Sequence, residues 1–217
     1  MTMRKCSSWF AVGFALALGL VAPVATRAGL VVSATNPTSA AGGTGSFDIL
    51  LTNTDGSSVD IASFNTAVEV ASNSGLTFTD ATDATTPGYI FGSVQNGPLG
   101  TISGFSITLS DYLASGSQTV GAGAIVGLGH VTYTLASSTP AGVPIAITFI
   151  TGGTQIYDAG LSEILPLTLQ GGTITVTPAA VPEPGTMVLA GLVCGLGGGL
   201  VALRRAKTKA AANVVQA

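Results

Sequence analysis

The chain has 217 residues, of which 47% are hydrophobic and only 8% charged, and its formal net charge is −3. All seven basic residues lie at the ends, as Arg4, Lys5 and Arg27 in front and Arg204, Arg205, Lys207 and Lys209 behind; residues 29–180 hold nine carboxylates and no Lys or Arg. Nucleic acid is excluded as a partner of that middle part, because phosphate binding needs a basic face, and anionic membrane surfaces are excluded on the same ground.

Residues 1–28 have the order of an export signal peptide. Arg4 and Lys5 precede the apolar run WFAVGFALALGLVA, the small residues of ATRA follow, and cleavage is expected after Ala28. The apolar run is short for a membrane-spanning helix, which needs about 20 residues to cross the hydrocarbon core. Cys6 leaves with the signal and Cys194 lies in a second apolar run near the C-terminus, so the mature middle contains no cysteine and no disulfide.

From residue 29 to residue 180 the dominant signal is period-two alternation, the mark of half-buried strands. In SFDILLTN, Phe47, Ile49 and Leu51 share one face; in GFSITLS, Phe105, Ile107 and Leu109 do; in HVTYTL, Val131, Tyr133 and Leu135 do; in GTITVT, Ile174 and Val176 do. The breaks are turn chemistry: NTDGSS at 53–58, TTPG at 85–88, QNGPLG at 95–100, SSTPAG at 137–142, and glycine pairs at 152–153 and 171–172. Eight or nine strands follow, without helices, and the expected fold is an all-β antiparallel sandwich. A body of this size buries roughly 68–70% of its unfolded surface, enough to dispense with metal or disulfide staples. Ion pairs are expected to contribute nothing, since no Lys or Arg is present, while Thr- and Ser-rich outer faces bond to water and neighbours.

The order of features in this region is similar to that of cohesin-like modules: LVVSATN, a glycine-containing turn, GSFDILLTNTDG, IASFNTAVEV, then GLGHVTYTL and GTITVT. The resemblance implies a nine-stranded sandwich of jelly-roll topology, used for attachment between secreted proteins, and so a binding module for another exported protein or for polysaccharide.

The end of the chain has three parts. VPEPGT contains Val181, Pro182, Glu183 and Pro184; residues 187–203 are 17 positions without charge; and Arg204, Arg205, Lys207 and Lys209 follow. The uncharged run spans roughly 25 Å as a helix, slightly short for a bilayer unless its ends adapt. The basic cluster places its far side in the cytoplasm, so residues 29–180 are expected outside the inner membrane. The two prolines stop helix and ladder alike and leave Glu183 in a stiff, accessible segment. This arrangement resembles the C-terminal sorting signal of PEP-CTERM proteins, with residues 181–217 as the sorting region. The resemblance implies an exosortase-type membrane enzyme as processing partner. It also implies a final place at the surface or in the extracellular matrix of an exopolysaccharide-producing cell.

Chemistry-bearing residues in the middle are few. His130 is the only histidine and alternates with Thr132 and Thr134 on the expected outer face, with no second imidazole or cysteine for zinc. GAGAIVG at 121–127 mimics part of a dinucleotide fingerprint but runs on as a strand, not a phosphate-holding helix. Asp55 with Asp60, and Asp80 with Asp83, are groupings able to lend oxygens to calcium, yet neither follows the twelve-residue calcium loop and aspartate is also the expected turn residue. Tyr89, Phe91, Tyr112 and Tyr157 lie in or beside turn-rich segments where they could form a platform for sugar rings. No catalytic, cofactor-binding or metal residue is assigned. The expected role is a non-enzymatic surface or matrix protein; a glycoside hydrolase would need two carboxylates facing each other across a cleft.

Overall fold

In SFDILLTN the residues expected on one face are the buried ones: Phe47, Ile49 and Leu51 point into the core from a ten-residue strand while Asp48 and Leu50 lie on its other side. The same holds for Val131, Tyr133 and Leu135 and for Ile174 and Val176, because successive side chains on a strand face opposite ways. These observations come from a computed structural model that describes residues 29–179. The expected signal peptide at 1–28, the motif at 181–184, the apolar run at 187–203 and the basic cluster from Arg204 to Lys209 lie outside the described residues.

The described residues form fourteen strand segments: β1 (Leu30–Ala34), β2 (Thr38–Ala40), β3 (Thr44–Asn53), β4 (Val59–Ile61), β5 (Ser63–Glu69), β6 (Leu76–Thr82), β7 (Gly100–Ser103), β8 (Ser106–Tyr112), β9 (Gln118–Val120), β10 (Ile125–Leu135), β11 (Ile145–Phe149), β12 (Gln155–Tyr157), β13 (Leu167–Gln170) and β14 (Gly172–Thr177). Eight of them have five or more residues, in keeping with the eight or nine strands expected, and the other six are three- or four-residue segments. Among the described residues no helix is long and apolar enough to cross a membrane. One sheet has the order β13-β1-β3-β10-β6; a seven-stranded sheet runs β2-β14-β11-β5-β8-β7 with β12 added to β5; β4 and β9 form a separate pair.

Among these strands all pairings are antiparallel except two, β1 with β13 and β2 with β14; an isolated bridge between Tyr89 and Gly127 is also parallel. Among the described residues the first two strand segments therefore run side by side with the last two in the same direction, and both lines pass from the first sheet to the second on the way. At that passage a Cβ on Gly171 would strike the Ile147 carbonyl oxygen, and one on Gly172 would lie 2.8 Å from the Thr35 oxygen. The glycine pair expected to make a turn instead lets the last strand cross between sheets. Residue 29 thus stands at one end of the sandwich and Thr177 at the other.

The core holds Phe47 between Phe78 and Tyr133, with ring centroids 6.3 and 6.1 Å away. The Tyr133 hydroxyl, buried with them, is satisfied by the Ser39 hydroxyl at 2.7 Å. One face assignment fails: Phe105, expected inward with Ile107 and Leu109, lies in the β7–β8 turn and is 43% exposed. Alternation does not extend to it, because the pleat that aims side chains ends where the strand does.

Candidate functional site

The segment that leads to the motif leaves a strand held to its last residue. The Thr177 carbonyl accepts the Ala41 N–H at 2.9 Å, and the Val176 carbonyl accepts the Gly142 N–H at 2.9 Å. Only Pro178, Ala179 and Ala180 separate this clamp from Val181. Beside the exit runs a groove lined by Ala71, Thr139, Pro140, Val143 and Thr148, which continues past Ala71 and Thr148 to Phe105.

The opposite end, around Gly29, gathers carboxylates. Asp55, Asp60 and Asp158 line one groove there with Ile164, Leu165 and Pro166. Of the two carboxylate groupings, Asp55 and Asp60 line this same groove; Asp60 accepts the Thr119 hydroxyl at 2.6 Å, Asp80 the Ala81 N–H at 2.8 Å and Asp83 the Val94 N–H at 3.2 Å. Among the described residues no group of three or more His, Cys, Asp or Glu is placed to hold a metal ion.

His130 stands on the outer face of its sheet, as expected, but it is not idle. Its Nδ1 lies 2.6 Å from Asp48 Oδ1 on the neighbouring strand, and Asp48 Oδ2 accepts the Thr86 N–H at 3.1 Å. The expectation that ion pairs contribute nothing overlooked this residue, which becomes a cation when protonated. A pair so partly exposed contributes little, so His130→Gln should cost at most about 1 kcal/mol in a denaturation experiment; a larger loss would mean that the imidazole anchors the 83–99 loop.

That loop carries Tyr89 and Phe91, and it overturns their assignment to a sugar platform. Both are buried, packed on Phe64 at 6.2 and 5.9 Å. Of the four rings only Tyr112 is well exposed. The loop is fastened by a residue that sequence reasoning passed over. Asp111, 1% exposed, accepts the Tyr89 hydroxyl and the Gln95 N–H on Oδ2, and the N–H groups of Asn96, Gly97 and Tyr112 on Oδ1, all at 2.8–2.9 Å. Burial alone would push its carboxyl up, but the N–H groups of Asn96, Gln95 and Gly97 and the Tyr89 hydroxyl together hold it below the ordinary carboxylate range. Burial, then the bond to Asp111, drives the Tyr89 phenol far up. A carboxylate with every lone pair engaged in this way positions a loop and has none left for acid–base work. The only sequence cue was the QNGPLG turn itself, in which Gly97 is required because a Cβ there would lie 2.7 Å from the Asp111 Cα.

Comparison with known proteins agrees with both halves of this layout. The family model of the PEP-CTERM protein-sorting motif matches residues 180–206. That motif implies exosortase-dependent sorting of an exported protein. The body resembles solved cohesin structures. One is the third cohesin of ScaC from Acetivibrio cellulolyticus, solved in complex with the ScaB dockerin: TM-score 0.54, 17% identity, 68% of this chain and 99% of that one covered. A second is a non-cellulosomal cohesin from the archaeon Archaeoglobus fulgidus, with TM-score 0.51, 14% identity and coverage of 74% and 96%. A third is CaCohA2 from Clostridium acetobutylicum, with TM-score 0.52, 15% identity and coverage of 71% and 94%. At these identities the likeness is one of fold, and the chain is a cohesin-like β-sandwich followed by a PEP-CTERM motif. No curated protein sequence matches the chain.

Proposed function

We propose that the chain is an exported, non-enzymatic display protein whose sandwich, residues 29–180, is carried to the cell surface or the extracellular matrix by its sorting region, residues 181–217. The signal peptide 1–28 starts export. The helix 187–203 then holds the chain in the inner membrane, with Arg204, Arg205, Lys207 and Lys209 on the cytoplasmic side. An exosortase-type enzyme acts at or near Val181, Pro182, Glu183 and Pro184. The observation that carries this reading is the sorting motif starting at residue 180, three residues after the clamp at Thr177. A strand so held ends three residues before the motif, so a processing cleft need not draw the strand out of the sheet to take the proline-rich segment. Replacing Pro182, Glu183 and Pro184 together with alanine should leave the longer, unprocessed chain in the membrane fraction. Release and intact mass unchanged from the natural chain would remove exosortase processing from the account.

A second reading, that the sandwich binds an exported protein or polysaccharide, is favoured by its cohesin-like fold; the ScaC cohesin was solved with a dockerin. Retention of the mature protein by purified matrix polysaccharide, or by a defined envelope protein, would support it. Retention by neither would leave a passive structural role.

A further inference from the structure

We infer that, while the chain is tethered, the end of the sandwich from which it exits lies against the lipid bilayer, with Val143 and Phe105 as the contacting apolar side chains. The inference rests on the membrane-anchoring reading above and adds the orientation of the body. Two lengths set that orientation. Between the last described residue, Ala179, and the apolar run lie seven residues, 180–186, which reach at most about 25 Å fully extended. The body is longer than that: β10 alone has 11 residues and spans about 36 Å at the usual rise per residue. The residue-29 end therefore cannot be turned down onto the membrane, because the tether would have to run the length of the sandwich to allow it.

The exit end has the surface for such a contact. Val143 is 55% exposed between Pro140 and Pro144, immediately after Gly142, whose N–H holds the exiting strand. Phe105 flanks the same continuous groove. Glu69 is the only ionisable side chain among the residues that line it. The remote end differs in charge rather than in apolar exposure: Asp55, Asp60, Asp158 and Glu163 are grouped around residue 29 and Tyr157, beside the exposed Leu161 and Leu165. An anionic leaflet repels carboxylates within about a Debye length, so the exit end, with Glu69 alone on its groove, approaches more readily than the end that gathers four carboxylates. The contact is apolar, needs no cation, and is favoured by a short tether that keeps the surface at high effective concentration. It leaves the acidic end, with Leu161 77% exposed, directed away from the cell.

The test uses the chain without its signal peptide, residues 29–217, at one copy per phosphatidylcholine nanodisc containing brominated acyl chains; these residues contain no tryptophan, so an introduced indole is the only one. Val143→Trp should lose most of its emission to bromine quenching, whereas Leu161→Trp should keep it. Amide hydrogen exchange of the unsubstituted chain provides the second readout, with residues 137–143 slowed in discs relative to the same chain cut free of them. A chain retained on the disc, with Val143→Trp unquenched and no slowing at 137–143, overturns the inference and leaves anchoring intact. A chain not retained at all overturns the anchoring reading and this one with it.

Discussion

Replacing Asp111 with alanine should lower the stability of the sandwich by roughly 3–5 kcal/mol, seen as a denaturation midpoint shifted at unchanged slope. Five donors converge on this carboxylate, four of them backbone N–H groups of residues 95, 96, 97 and 112. Alanine strands them where water enters poorly. The loss spreads to the core, because the same loop inserts Tyr89, Ile90 and Phe91 between the sheets. Tyr89→Phe removes one donor and keeps the ring, so it should cost only about 1 kcal/mol. Equal losses for the two variants would show that the single bond from the Tyr89 hydroxyl, not the four backbone N–H groups, holds the loop.

The same residues predict how stability varies with pH. The folded-state pKa of Asp111 is depressed, so the unfolded chain binds its proton first. Its contribution is fully present above the unfolded carboxylate value of about 3.9 and is lost as pH falls through the lower folded value. Tyr89 and Tyr133 are raised, chiefly by burial, so their contributions hold below about 10 and are lost as pH rises beyond it. In Asp111→Asn the acid limb of the stability curve should be shallower than in the natural chain. An unchanged limb would mean that Asp111 keeps an ordinary pKa in the fold.

Substituting Asn53 should cost roughly 2–3 kcal/mol as alanine and at least as much as aspartate. Asn53 is fully buried at the end of β3. Its Nδ2 donates to the carbonyls of Ser57, Val120 and Gly121 at 2.9–3.1 Å, while its Oδ1 accepts the Asp55 N–H at 3.0 Å. One amide thus ties the β3–β4 loop to the β9–β10 loop. Alanine leaves these groups unpaired, and aspartate turns an oxygen towards three carbonyl oxygens without a donor. Faster amide exchange at Asp55 and Gly123 should accompany either change, because Gly123 donates to the Asn53 carbonyl. Exchange at those sites equal to that of the natural chain would show that the loops hold without this link.

Asn53 and Asp111 show where reading the sequence alone stops. Asn53 ends a run whose alternation was plain, and Asp111 stands in GFSITLSDY, where Ile107 and Leu109 were rightly turned inward. Their polarity reads as that of a turn or an outer face. Nothing local distinguishes them, because their partners lie 14 to 22 residues away for Asp111 and 67 or 68 for Asn53, apart from adjacent Tyr112 and the nearby Ser57 and Asp55. The tyrosine platform failed for the same reason. Tyr89 and Phe91 lie among turn residues, and a turn composition says that the backbone bends without saying which surface the bend lies upon.

By itself the sequence determined the all-β class, the inner faces of the long strands, and the three-part ending that matches a sorting motif. Each of these is written in neighbouring residues: strand alternation follows from the pleat, and an apolar run between prolines and arginines needs no distant partner to be recognised. Only the tertiary structure decided that Phe105 lies outside and Tyr89 inside, that His130 meets Asp48, and that among the described residues the first two strand segments run parallel to the last two, so that the two ends of the body differ. These depend on which segments meet across the sheets, and that choice is made by the burial of the whole core.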